Sequence, residues 1–219
     1  NLQFGQETVD AFEIGGKYDG RNWTLTLAGF YQEFSNFQLN TFNGSVYVVQ
    51  NVNSCGSSLG GADQDNDGTT GACGADDVQP GVVAKGVEAE LSVRPARYLT
   101  TNFGLTYADT RYEDDLIGND TGAPLDPALR LLPGDNLSNA PEITATASVS
   151  YTPPIGDSGL SGLFYLNTRM TSDYNTGSDL LYGKEQDGVV VVNGRIGIRG
   201  PDENRAPLLD LKLLHLHLV

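Results

Sequence analysis

Cys55 and Cys73, the chain's two cysteines, bracket an acidic run. Between them lies Asp63-Gln64-Asp65-Asn66-Asp67-Gly68, the first half of an EF-hand loop, D-x-D-x-D-G. Asp63, Asp65 and Asp67 stand at alternate positions, so their carboxylates could converge on Ca²⁺. The twelfth position, where a bidentate Glu belongs, is Gly74. The run therefore reads either as a weak Ca²⁺ site or as a solvated acidic loop. An even cysteine count within one polar loop suggests a Cys55–Cys73 disulfide in an oxidising compartment, and two free thiols in a reducing one. His215 and His217 would share a strand face and could hold a metal, though a structural role is the simpler reading. No His precedes residue 215, and neither G-x-S-x-G nor G-x-x-x-x-G-K occurs. No nucleophile, base and oxyanion set is visible, so the expectation is a protein that is not an enzyme and carries no cofactor beyond weak Ca²⁺.

The 28 acidic residues against 13 basic ones give a net charge of −15. Such acidity excludes a nucleic-acid partner, which needs a basic face. No run of eighteen apolar residues exists, so no spanning helix is expected; strands that cross a membrane leave a weaker trace. Asn1 does not look like a native start, which suggests a chain that begins inside a longer one.

The elements around this loop alternate. From Lys85 to Thr110 two runs flank a short turn at Pro95-Ala96-Arg97. Val87, Ala89, Leu91 and Val93 share one face and Glu88 and Glu90 the other. In the second run Phe103, Leu105 and Tyr107 oppose Asn102, Gly104 and Thr106. A period of two over about ten residues is a long β hairpin. The same pattern places strands at 9–18, 23–35, 82–94, 99–112, 143–151, 163–172 and 189–199. FQLNTF and SVYVVQNV around Asn43-Gly44 add a further hairpin signal. Short connections follow Tyr18, Pro95 and Tyr151, and long ones follow Ser35, Tyr112 and Ser172. Short turns on one side and long loops on the other are the rhythm of an up-and-down membrane barrel. The fold class is all-β: an open antiparallel sheet of about seven or eight barrel strands with long extracellular loops.

The stretches VDAFEIGGKYDG, LAGFYQEFSNFQLN, KGVEAELSVRP, LSNAPE and VVNGRIGIRGPDE, in this order and spacing, resemble the C-terminal part of the barrel of a TonB-dependent outer-membrane receptor. The resemblance covers roughly residues 8–204 and implies uptake of a bulky nutrient, such as a ferric siderophore, cobalamin or carbohydrate. Its implied partners are outer-membrane lipid, an N-terminal plug domain and TonB, and its implied location is the outer membrane of a Gram-negative bacterium. It implies that Glu13, Glu88, Glu90, Asn193 and Arg195 face the lumen. Residues 1–206 would be a partial barrel without plug or closing strands. Residues 207–219, PLLDLKLLHLHLV, form an atypical tail whose alternation slips phase between Leu213 and Leu214. The alternatives are a secreted calcium-binding β-sandwich adhesin and a glycan-binding module.

Overall fold

The computed structural model describes residues 5–42, 45–56, 73–120, 122–200 and the backbone of 209–218. In chain order its strands are β1 (Thr8–Asp19), β2 (Trp23–Ser35), β3 (Phe37–Phe42), β4 (Tyr47–Cys55), β5 (Val78–Pro80), β6 (Val82–Ala96) and β7 (Leu99–Tyr112). They continue with β8 (Leu116–Ile117), β9 (Ile143–Tyr151), β10 (Ser161–Thr171), β11 (Tyr174–Asn175), β12 (Glu185–Gln186), β13 (Val189–Arg199) and β14 (Leu209–Leu218). Eight of them form one antiparallel sheet in the order β1-β2-β6-β7-β9-β10-β13-β14, with β1 and β14 at its two edges. The architecture is the all-β, up-and-down, open sheet expected from the alternation.

Cross-strand register sorts the side chains into rows. One face carries Tyr18, Leu25, Leu91 and Phe103 in one row. Leu27, Ala89, Leu105, Ala145, Met170 and Val190 make the next. The opposite face carries Thr24, Ser92, Asn102, Ser148, Asn167 and Asn193 in one row, and Ala28, Glu88, Thr106, Thr144 and Thr171 in another. A one-residue slip anywhere would exchange the faces, so the apolar pattern fixes the pairing. At the short-turn end the Tyr18 and Trp23 rings lie 4.9 Å apart.

Two details depart from the sequence reading. The β6–β7 turn falls at Arg97-Tyr98 rather than Pro95-Ala96-Arg97, with Ala96 opposite Leu99 and Tyr98 at φ 67°. The chain continues extended through Pro95 because proline's fixed φ is compatible with strand geometry, and the register shifts there instead. In β14, His215 lies opposite Asn193 and Leu213 opposite Gly194, which leaves Leu214 as a bulge. This is where the alternation of the tail slips phase.

The described parts of three long connections pack together. β4 pairs with β3, β5 and β8 in a small second sheet, whereas the Asn43-Gly44 turn lies outside the described residues. Residues 36–81, 113–142 and 173–187 jointly build the main buried core: Leu39 and Val52 from the first, Leu116, Leu125, Leu129 and Leu132 from the second, Leu180 from the third. This cap rests on the loop end of the polar face, where that face turns apolar in the row Phe34–Val82–Tyr112. Phe37 stands edge-on to both Phe34, at 5.9 Å, and Tyr112, at 6.2 Å. The bend from β2 into β3 occurs at Asn36, φ 54°, a left-handed conformation that asparagine tolerates. Buried Asn53 holds it from both sides, accepting from the Asn36 N–H and donating to the Asn36 amide oxygen, each at 2.7 Å. Asn51 donates to the Asn36 carbonyl at 2.7 Å. These amides satisfy backbone groups that leaving the sheet would otherwise strand.

Candidate functional site

The polar face of the large sheet is the first place where chemistry gathers. Glu88 and Glu90 stand two residues apart on β6, so they share this face at about 7 Å spacing. Both are exposed, and neither has an ion pair among the described residues. Beside Glu90 a hollow of about 250 Å³ is lined by Thr24, Thr26, Ser92, Asn102, Gly104 and Thr146. Gly104 keeps it open, since a Cβ there would stand 2.7 Å from Thr146 Oγ1. Asn102 spends its amide on Ser148 Oγ at 3.3 Å. Hydroxyls and a carboxylate around an open hollow suit a cationic hydrogen-bond donor from a partner. Glu13 lies on the same face, its backbone opposite Phe30, and Asn193 and Arg195 lie on it at β13. Strand register alone brings these five residues to one face, at separate places along it.

The cap is the second place. Cys55 and Cys73 are joined by a disulfide of S–S 2.10 Å, buried against Ile117 and Val78. An Asp77 carboxylate oxygen lies 3.9 Å from Cys55 Sγ. Two thiolates and a carboxylate could bind a soft cation, but sulfurs bonded to each other are not thiolate ligands. Asp63, Asp65 and Asp67 lie outside the described residues, as do the side chains of His215 and His217.

The third place was not legible as a site. Arg169, Thr171, Val189 and Val191 on the polar face, with Tyr174 and Gln186 from the β11–β12 ribbon, line a hollow of about 370 Å³. Alternation assigns Arg169 to this face, but two-residue strands leave no periodic signal. The ribbon is held by Lys184 Nζ, 2.7 Å from both Asp179 carboxylate oxygens. Burial pushes the Asp179 carboxyl up, but its bonds to the Lys184 ammonium and the Leu181 N–H outweigh this, and the net shift is downward.

The model of the TonB-dependent receptor-like β-barrel family matches residues 1–204. The chain belongs to the TonB-dependent receptors. Members of that family are receptors rather than enzymes and sit in the outer membrane of Gram-negative bacteria. They work with TonB, a plug domain and their ligands. Among solved structures the chain is similar to the ferric yersiniabactin uptake receptor FyuA from Yersinia pestis, with 15% identity and a TM-score of 0.58 over 89% of this chain and 23% of that one. It is also similar to the FrpB iron transporter from Neisseria meningitidis (F5-1 variant), with 16% identity and a TM-score of 0.50 over 88% and 24%. At such identities the likeness is one of fold, and the chain spans about a quarter of the length of either receptor. No curated protein sequence matches it. Residues 205–219 lie beyond the family match, and none of these matches supports an adhesin or a glycan-binding module.

Proposed function

We propose that this chain is the lipid- and plug-facing part of a receptor barrel that imports a bulky nutrient across the outer membrane, with a ferric siderophore as the first candidate and cobalamin or a carbohydrate next. The observation that carries this reading is the sorting of the large sheet. Ile14 is 82% exposed, Phe12 67% and Leu166 52%, all on one face, and an apolar face of that kind on a barrel sheet is suited to lipid. The opposite face keeps Glu88 and Glu90 unpaired among the described residues, as a surface waiting for a cationic partner would. In this reading Glu13, Glu88, Glu90, Asn193 and Arg195 face the lumen and the plug, TonB drives transport through that plug, and the cap lies over the mouth. The chain performs no catalysis and holds no cofactor; Asp63, Asp65 and Asp67 bind Ca²⁺ weakly at most. That one similar receptor takes up ferric yersiniabactin and the other is an iron transporter favours a ferric cargo.

The test is fractionation followed by uptake. The protein should enter the outer-membrane fraction and leave it only with detergent. Deleting its gene should abolish growth on one ferric siderophore, on cobalamin or on one carbohydrate as limiting nutrient. A protein freely soluble in the periplasm, or a deletion strain that imports all three classes normally, would overturn the reading.

A further inference from the structure

We propose that Arg169, Tyr174 and Gln186 form an oxyanion subsite at the loop end of the polar face, holding a carboxylate-bearing arm of the transported nutrient. The inference deepens the receptor reading and rests on it for the direction from which the ligand arrives.

Arg169 supplies the charge. It sits on β10 in the row Thr26–Glu90–Gly104–Thr146–Arg169–Val191. Glu90, the carboxylate of that row, is three strand spacings away, about 14 Å, too far for an ion pair. No other carboxylate among the described residues pairs with Arg169, although the chain carries 28 acidic residues. Of the four acids in residues 173–187, two are engaged, and the other two, Asp173 and Asp187, form no ion pair with Arg169. Asp179 holds Lys184, and Glu185 accepts from the Gly183 N–H at 2.7 Å. A guanidinium offers five N–H donors in a planar fork that matches a carboxylate edge.

The ribbon supplies the rest. Tyr174 and Gln186 are direct cross-strand partners, so their side chains emerge side by side over Arg169. Gln186 donates one amide hydrogen to the Asp187 carbonyl at 3.1 Å and keeps a second. The Tyr174 hydroxyl and the Thr171 hydroxyl add two more donors. Val189 and Val191 give the hollow an apolar wall against which a carbon skeleton can lie. At about 370 Å³ the space suits a small acid or one arm of a larger ligand rather than a whole bulky nutrient. The site is preformed: Thr176 donates to the Lys184 carbonyl at 2.9 Å, and Asn139 from the second loop donates to the Asn175 carbonyl at 2.8 Å. Little ordering is therefore left for the ligand to impose.

The test is calorimetric titration of the complete receptor, purified in detergent at low ionic strength, with citrate as the carboxylate probe and inorganic phosphate as the rival oxyanion. The expected result is one saturable citrate site, tighter than that for phosphate. Arg169→Gln should weaken it at least tenfold and Arg169→Lys by less, because an ammonium cannot reproduce the fork. Arg199→Gln, on the same face but outside the hollow, should leave it within twofold. No saturable citrate binding, binding undiminished in Arg169→Gln, equal loss in Arg199→Gln, or phosphate bound as tightly as citrate would each overturn the proposal. Uptake measured alongside separates the two readings. Import that ignores Arg169 removes the subsite and leaves the receptor standing; Arg169-dependent citrate binding without any import does the reverse.

Discussion

In the large sheet Val87 is 56% exposed and Leu27 50%, whereas in the cap Val52, Leu116 and Leu132 are at 0%. The two regions are built from similar residues and close in different ways. The cap buries its leucines against one another, as water-driven folding requires. The sheet buries almost nothing between its strands, and its apolar rows await a medium that is itself apolar. The contrast teaches that the cap carries its own stability, while the sheet depends on what surrounds it. Each region can therefore be broken without the other.

The largest expected effect lies in the cap. Leu129→Ala, deep in the core shared by the three long connections, should cost about 2–5 kcal/mol. Hydrogen exchange should quicken across β3, β4 and residues 113–142 and remain unchanged in β9 and β10, which contribute nothing to that core. Equal loosening of both regions would show that they are one cooperative unit.

Next is the sheet. Leu105→Arg on the apolar face should cost about 2–4 kcal/mol of folding into bilayers. Thr106→Arg, one residue on and beside Glu88, should be close to neutral. Heat-modifiable mobility in liposomes across a denaturant series reads the difference. A reversed order would mean that the faces are assigned the wrong way round.

The smallest effect is one of pH. The Asp179 carboxyl is held below its ordinary value, so the unfolded chain binds that proton more readily than the folded one. The stability it contributes is complete above the ordinary aspartate pKa of about 3.9 and is lost as pH falls through the lower folded value. Exchange of the Leu181 amide should accelerate in that acid window before the cap core responds. Asp179→Asn should remove the pH dependence. An unchanged profile in the variant would place the transition elsewhere.

The same contrast explains what was legible beforehand. The large sheet could be read because one face is apolar over ten or more residues, so period two persists; β2, β7, β9 and β13 have the expected limits, and β10 starts two residues earlier. The cap was not legible because its order comes from tertiary contacts with no period. Leu116-Ile117 is a strand only through its pairing with Asn53 and Ser54. Asn51 and Asn53, polar by type, are buried because they hold the bend at Asn36. Of the sites, Glu88 and Glu90 were visible as polar beats in an apolar strand. Tyr174 and Gln186 were not, since eleven residues separate positions that only a closed ribbon brings together.

The disulfide has a consequence for how this surface can change over evolutionary time. It pins two Cα atoms 5.9 Å apart, and the 17 residues between them have their exits fixed whatever they are. Closing a longer segment there costs little more, because loop entropy grows only with the logarithm of length. Insertions, deletions and wholesale replacement between Cys55 and Cys73 would leave the leucine core of the cap unchanged, since none of its described members lies between them. Such a port lets the sequence between the two cysteines drift while the rest of the scaffold stays constant. For the engineer it is a ready-made graft site for an epitope or a binding loop.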